Sequence, residues 1–334
     1  MLNLNFRPGG RYKWFKFFMN QMTLISVVIV NYNRRDDLRI AIKSVLSQDY
    51  QNIEIIVVDN ASSDGSLEML ETEFPAVKSV PLPKNIGMDG YSVAFRAAQG
   101  GIVFQMDNDS QMPDTTVLGR IAKAFDEVPD DVAVLATRVE EYRRDSDNIE
   151  DLRKRDLRRG PLETDGYHSG GAAFRRSLMQ GVGYYNQDVF LYGAELFLQL
   201  RVLAAGFKLR FYPDILMLHK SSKTARSGKG VYYETRNRYW LFRHYGTGWQ
   251  QVKHLPWILL HDLVYIVHRR MLIQWMRALI DGFGKLPDSL TPPLRSREPL
   301  FLLALDKIGR SYSVSKIVER TMHRLSRKRR LNGG

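Results

Sequence analysis

Apolar and polar positions divide the first third of the chain into short segments of two kinds. Leu24 to Val30 (LISVVIV) is a β-branched run with the length of a strand covered on both faces. Asp36 and Asp37 then open a stretch in which Leu38, Ala41, Ile42, Val45 and Leu46 fall on one helical face, which predicts a helix through Leu46. The alternation repeats: a strand at Ile53 to Val58, a helix at Ser66 to Phe74, a weaker strand at Val77 to Leu82, a helix at Tyr91 to Gln99, and a strand at Gly101 to Met106. Strands and helices in turn, joined by short polar loops, predict an α/β fold with a mostly parallel sheet flanked by helices.

Further along, Val132 to Thr137 reads as a strand, and Glu140 to Arg159 as an exposed charged loop or helix without an apolar face. Tyr167 to Phe174 leads into a helix at Arg175. Leu196 to Ala205 is a helix closed by Gly206, and Phe207 to Tyr212 is a short strand before Pro213. Past Gly230 the pattern becomes helical, aromatic and basic. We therefore expect a basic aromatic extension over 1–22, an α/β domain over 23–229, and a C-terminal helical, basic appendage over 230–334. In the appendage, Trp257, Leu260, Val264, Val267, Met271 and Trp275 recur at three- and four-residue steps between Pro256 and Gly282. This predicts a helix packed for most of its length on the α/β domain, with a basic edge (Lys253, Arg269, Arg270, Arg277) meeting lipid.

Composition narrows the picture. The 334 residues are 44% hydrophobic and 25% charged, as in globular proteins. No cysteine is present, which excludes disulfides, thiolate metal sites and a cysteine nucleophile. The formal net charge of +13 attracts polyanions. Arg7, Arg11, Lys13 and Lys16 surround Trp14, Phe15, Phe17 and Phe18, and Arg320, Arg324, Arg327, Lys328, Arg329 and Arg330 lie near the end; basic residues among aromatics suit an anionic membrane surface, with a solvated basic tail the alternative for the C-terminal run. The most apolar stretch, Leu255 to Val267, is interrupted by His261 and Asp262 and is shorter than the roughly 20 residues a span needs. No cleavable leader is evident. The expected location is cytoplasmic, peripheral at the cytoplasmic face of the membrane. No zinc site or RNA-binding aromatic motif accompanies the charge, so nucleic acid is not an expected partner.

Candidate chemistry sits at the strand ends, where such sheets bind ligands. Asn31 and Asn33 follow the first strand, Asp59 ends the second, and Asp107 and Asp109 close the fourth. Asp107-x-Asp109 places two carboxylates on one side of an extended chain, a geometry that holds Mg²⁺ or Mn²⁺ and leaves room for phosphate oxygens. An isolated pair of this kind is also a common turn cap. His219 ends an apolar run and is either an ordinary histidine or a third metal ligand. Lys223 and Arg226 follow among serines and glycines, in a loop suited to closing over phosphates. Glu195, at the start of a helix, is either a cap or a general base.

Taken together these pieces resemble glycosyltransferase family 2, of the GT-A (Rossmann-like) fold. Ser26 to Asn33 (SVVIVNYN) looks like that family's first strand and nucleotide turn, and Val57 to Ser66 like its second motif. Asn85-Ile86-Gly87 resembles its N-x-G segment, Asp107-Asn108-Asp109 its D-x-D, and Gly170-Gly171-Ala172 to Arg175 the segment lining the acceptor side. Asp188 to Gly206 looks like the base-bearing segment, and Pro213 to His219 the closing P-x-(n)-H element. Arg236-Asn237-Arg238 in a Tyr- and Trp-rich helix is similar to rhamnosyltransferase-like members that build bacterial surface polysaccharides.

The resemblance implies an inverting enzyme that moves a hexosyl or deoxyhexosyl group from a UDP-, dTDP- or GDP-linked sugar to a glycan or lipid-linked acceptor with Mg²⁺ or Mn²⁺. It assigns nucleotide binding to Val30, Asn31, Tyr32, Asn33, Asp59, Asn85 and Asp107, and metal binding to Asp107, Asp109 and His219. The phosphate and acceptor loops are assigned to Gly170, Gly171, Lys223 and Arg226, and the base to Glu195. The family's Glu-Asp pair is Ala194-Glu195 here, and a commonly acidic position is Phe197, which leaves Asp188 as an alternative base. A degenerate sugar-nucleotide binder and a nucleotidyltransferase are the competing readings. The latter usually has a glycine-rich basic loop after the first strand, where this chain has Asn31-Tyr32-Asn33-Arg34-Arg35.

Overall fold

The computed structural model describes residues 23–143, 147–154, 160–220, 228–269, 271–291, 294 and 296–311. In chain order the elements are β1 (Ile25–Asn31), α1 (Arg35–Leu46), β2 (Ile53–Asp59), α2 (Ser66–Glu73), β3 (Lys78–Pro81), α3 (Gly90–Ala97) and β4 (Ile102–Asp107). They continue with β5 (Ser110–Gln111), α4 (Val117–Glu127), β6 (Val132–Tyr142), α5 (Ile149–Lys154), β7 (Leu162–Thr164), β8 (Ala172–Arg175) and α6 (Arg176–Val182). The chain ends in α7 (Ala194–Ala204), β9 (Lys208–Lys220), α8 (Gly228–Tyr245), α9 (Gly248–Arg269), α10 (Leu272–Phe283) and α11 (Pro299–Arg310).

One sheet has the order β3-β2-β1-β4-β8-β6-β9-β5, with β7 also on β9. β3, β2, β1 and β4 run parallel, as do β6 and β9. β8 lies antiparallel between β4 and β6, and β5 and β7 lie antiparallel on β9. Alternate residues of β1 face opposite cores. Val27 and Ile29 pack with Leu38, Ile42, Leu70 and Phe125 of α1, α2 and α4. Val28 packs with Tyr91, Phe174 and Phe197, and that cluster runs on through Tyr239, Phe242, Ile258 and Phe301 of the C-terminal helices. The helices past residue 228 therefore complete one face of the sheet's core.

Four segment boundaries differ from the sequence pattern. Pro213 does not end its strand: β9 continues to Lys220, with its pairing to β6 slipping from Thr137↔Tyr212 to Arg138↔Leu216. Residues 213–215 bulge out there, where a missing ladder N–H costs nothing. The Glu140 to Arg159 segment is not wholly exposed, because β6 reaches Tyr142, and Tyr142 packs with Leu152, Leu216 and Leu218. Phe174 and Arg175 belong to β8, and the helix begins at Arg176. The apolar periodicity from Pro256 to Gly282 is carried by two helices, α9 and α10. Among the described residues no helix is long and apolar enough to cross a membrane.

Candidate active site

Strand register builds the site. Asn31 lies opposite Asp59, and Val30 opposite Asp107, so three strand ends meet at one edge. Asp59 is wholly buried and accepts hydrogen bonds from Asn31 Nδ2 (3.0 Å) and the Ser62 N–H (2.8 Å). Asn31 Oδ1 accepts from Asn108 Nδ2 at 2.9 Å. Asn33 and Ala61 take left-handed backbone angles (φ 51° and 62°), and the Asn33 N–H donates to Ser62 Oγ at 2.9 Å. This closed network ties the two strand-end turns together, with Tyr32 exposed beside it and Val30 half-buried under Gly90.

The Asn85-Ile86-Gly87 turn is held by residues the sequence did not single out. Asn60 is buried; its amide donates to Gly87 O at 3.0 Å and its carbonyl accepts from the Ile86 N–H at 3.3 Å. Asn85 Oδ1 accepts from the Gly87 N–H at 2.8 Å, so Asn85 shapes the turn. Gly87 has φ 63°, and a Cβ there would stand 2.0 Å from Phe190 O, the same carbonyl that accepts from the Met88 N–H. Gly87→Ala is therefore expected to destabilise the fold by at least about 2 kcal/mol, read as a lower midpoint in urea unfolding. An unchanged midpoint would show that this approach is not tight.

Asp107, Asp109 and His219 offer ligand atoms that all lie within 4.8 Å of one another. The β5–β9 pairing does this, by setting Ser110 opposite His219. His219 Nε2 is 3.3 Å from Asp109 Oδ1 and 3.8 Å from Asp107 Oδ2. Two carboxylates and one imidazole around one point fit a hard divalent cation such as Mn²⁺ or Mg²⁺. The Asp107 oxygens also accept from Tyr91 Oη (3.0 Å) and Ser169 Oγ (2.9 Å). Burial, aided by the Asp109 charge, raises the Asp107 carboxyl above its usual range. Burial also works to raise Asp109, but the hydrogen bond from His219, its charge and Arg34 outweigh that and leave it lowered. Arg34 Nη1 lies 2.9 Å from Asp109 Oδ2, which puts a cation at the mouth of the cluster.

Glu195 stands in the first turn of α7, after left-handed Tyr192 (φ 55°) and Gly193 (φ 81°). Asn237 of α8 fixes that approach, its amide donating to Leu191 O (2.6 Å) and Tyr192 O (2.9 Å). Arg236 donates to Asp188 O (3.0 Å) while its guanidinium lies 3.9 Å from the Trp240 ring centre. Glu195 is raised, first by burial and then by the Asp107 charge, while hydrogen bonds from its own N–H and from Ser169 oppose the rise. Ser169 Oγ donates to Asp107 and lies beside Glu195. Ala194 and Phe197 are buried in the core, so Glu195 is the carboxylate that this helix start presents to the cleft. The Asp188 carboxylate turns away, accepting from Ser289 Oγ at 2.5 Å.

Gly170 and Gly171 pack rather than gape. A Cβ on Gly171 would lie 2.4 Å from Thr137 Oγ1, and one on Gly170 would lie 3.0 Å from both His168 Nδ1 and Ser110 Oγ. That packing sets Ser169 against Asp107. Lys223 and Arg226 lie outside the described residues. Ser169, Tyr91, Asn60 and Arg34 were not singled out by sequence. Each flanks a motif, but only the folded register shows what it touches.

Residues 26–183 match the family model for glycosyl transferase family 2. The chain is 29% identical over 103 residues to the UDP-Glc:alpha-D-GlcNAc-diphosphoundecaprenol beta-1,3-glucosyltransferase WfaP of Escherichia coli, covering 30% of this chain and 41% of that one. It is 33% identical over 96 residues to the putative teichuronic acid biosynthesis glycosyltransferase TuaG of Bacillus subtilis, covering 28% and 38%. These matches thus span well under half of each curated relative. Among solved structures, the fold is similar to S. aureus TarS 1–349 in complex with UDP-GlcNAc (TM-score 0.57, 16% identity, 89% of this chain and 91% of that one). It is similar also to mannosyltransferase PcManGT from Pyrobaculum calidifontis in complex with GDP-Man and Mn²⁺ (TM-score 0.52, 18% identity, 91% and 84%). At these identities the likeness is one of fold.

Proposed function

The chain belongs to glycosyl transferase family 2 through residues 26–183, and from that premise we propose that it transfers a sugar from a nucleoside-diphosphate donor to an acceptor hydroxyl in one displacement, with inversion. The observation that carries this reading is the meeting, at one sheet edge, of the buried Asp59 pocket, the Asp107–Asp109–His219 cluster and Glu195. In this reading the Val30 to Asn33 turn and Asp59 hold the nucleoside. Asp107, Asp109 and His219 would hold a divalent metal, which would neutralise charge on the departing diphosphate. Arg34 adds positive charge beside it. Glu195 takes the proton of the acceptor hydroxyl, and the oxygen attacks the anomeric carbon from the side opposite the diphosphate.

The names of WfaP and TuaG, which concern envelope glycans, favour a glycan or lipid-linked glycan acceptor. The test is thermal unfolding with UDP, dTDP and GDP, each with and without Mn²⁺, followed by transfer assays with the matching sugars. A ligand of the native state raises stability by about 2.7 kcal/mol at a hundredfold excess over Kd. One nucleotide should give a metal-dependent shift, and NMR of its transfer product should show the opposite anomeric configuration to the donor. Stabilisation by no nucleotide would overturn the reading, and retained configuration would overturn inversion.

A further inference from the structure

We propose that the outer faces of α9, α10 and α11 form a docking surface for an anionic phospholipid bilayer, on which the protein lies without crossing. The proposal is independent of the transfer chemistry. On α9 the buried positions are His254, Ile258 and Asp262, while Trp249, Val252, Trp257, Leu260 and Leu263 are exposed on the opposite side. On α10 the buried positions are Trp275, Ala278 and Gly282, the last against Tyr239 of α8, while Leu272, Ile273, Met276, Ile280 and Phe283 are exposed. Leu302 and Leu303 of α11 are exposed as well. Trp249 is 73% exposed, Ile273 66% and Ile280 67%, values more typical of lysines than of large apolar side chains. Each helix thus keeps an apolar side that the packed core does not cover. An unpartnered surface of this kind marks an interaction site.

Charge selects the occupant. Exposed Lys229, Arg277 and Lys285 border the α10 stripe, with Asp281 among them and Asp288 paired to Lys285, and the whole chain carries +13. A second copy would bring like charges together at the contact, whereas acidic head groups would offset them. Tryptophans beside basic residues are the composition of an interfacial anchor. Next to the stripe, Lys229, Tyr232, Tyr233, Arg277 and Ile280 line a cavity of about 520 Å³. Tyr233 in turn packs on Phe190, whose carbonyl holds the Gly87 turn of the nucleotide pocket. The docking face and the site edge are therefore joined through one pair of rings.

The test is co-sedimentation of the full chain with phosphatidylcholine vesicles, with and without phosphatidylglycerol. The wild-type chain should sediment with the anionic vesicles. The double variant Ile273→Asp with Ile280→Asp should bind at least about tenfold more weakly. Both positions are exposed, so its unfolding midpoint should match the wild type, and the vesicle readout needs neither donor nor acceptor. Wild-type protein that stays in solution with anionic vesicles would overturn the proposal. So would a variant that binds as tightly as the wild type, since that would leave binding to the basic ends alone. A wild-type dimer that the variant converts to monomer would assign the face to a second copy instead.

Discussion

Glu195→Gln is expected to reduce glycosyl transfer by about 10² to 10⁴-fold while nucleotide and metal binding persist, because the amide keeps the shape of the carboxylate and loses its basicity. The prediction rests on the place of Glu195, reached by Ser169 Oγ at the start of α7 and near Asp107. Two pH effects go with it. A base works only when ionised, so the acid limb of the wild-type rate should lie above the ordinary glutamate range, since burial raises this carboxyl from 4.5. The second effect is on stability without ligands. A carboxyl whose folded pKa is raised binds its proton more tightly in the folded state, so stability falls as pH rises from the unfolded value through the folded one. Above that window the ionised Glu195 is a standing cost, and Glu195→Gln should unfold at a higher temperature than the wild type at neutral pH. Loss of activity with gain of stability is the signature of a functional carboxylate. Full turnover by the variant would remove Glu195 from the mechanism, with Asp188 then next to be replaced.

The second large effect is expected at Asp109→Asn. The His219 and Arg34 contacts keep Asp109 ionised at neutral pH despite its burial, so it presents a full negative charge to a cation. Replacing it leaves His219 and Arg34 facing a neutral amide and removes half of the carboxylate charge at the cluster. Transfer should fall at least about a hundredfold, and the Mn²⁺-dependent part of the nucleotide thermal shift should vanish. Nucleotide binding without metal should survive, since Asp59 and the Asn31–Asn33 turn are untouched. An unchanged metal requirement would show that the cluster is not the metal site.

The two variants also separate the two halves of the site. Glu195 sits on α7, whose start is fixed by Asn237 of α8, and the Asp107–Asp109–His219 cluster sits on β4, the turn after it and β9. Ser169 lies between them, hydrogen-bonded to Asp107. A loss of metal response in Glu195→Gln would therefore mean that this serine transmits more than position.

The alternation of β-branched runs with one-faced helices from Leu24 to Met106 determined the parallel half of the sheet, because periodicity and local length are properties of contiguous residues. It also determined which edge carries the ligand groups, since Asn31, Asp59 and Asp107 each end a strand. The family motifs, read in order, singled out Asp109, His219 and Glu195. Tertiary structure alone decided the rest. The continuation of β9 past Pro213 depends on a bulge that pairing with β6 tolerates, and that continuation brings His219 to Asp109. The partners of Asp107, Tyr91 and Ser169, come from positions 16 residues before it and 62 after it. Asn60, Asn237 and Gly87 act through backbone carbonyls and close approaches that leave no periodic trace. The C-terminal helices show the same limit: their sequence announces apolar stripes, but a stripe is the same string of residues whether it faces a core or the outside. Only packing, against α8 for both and against α11 for α9, decided which face of α9 and α10 is covered and which is left for a partner.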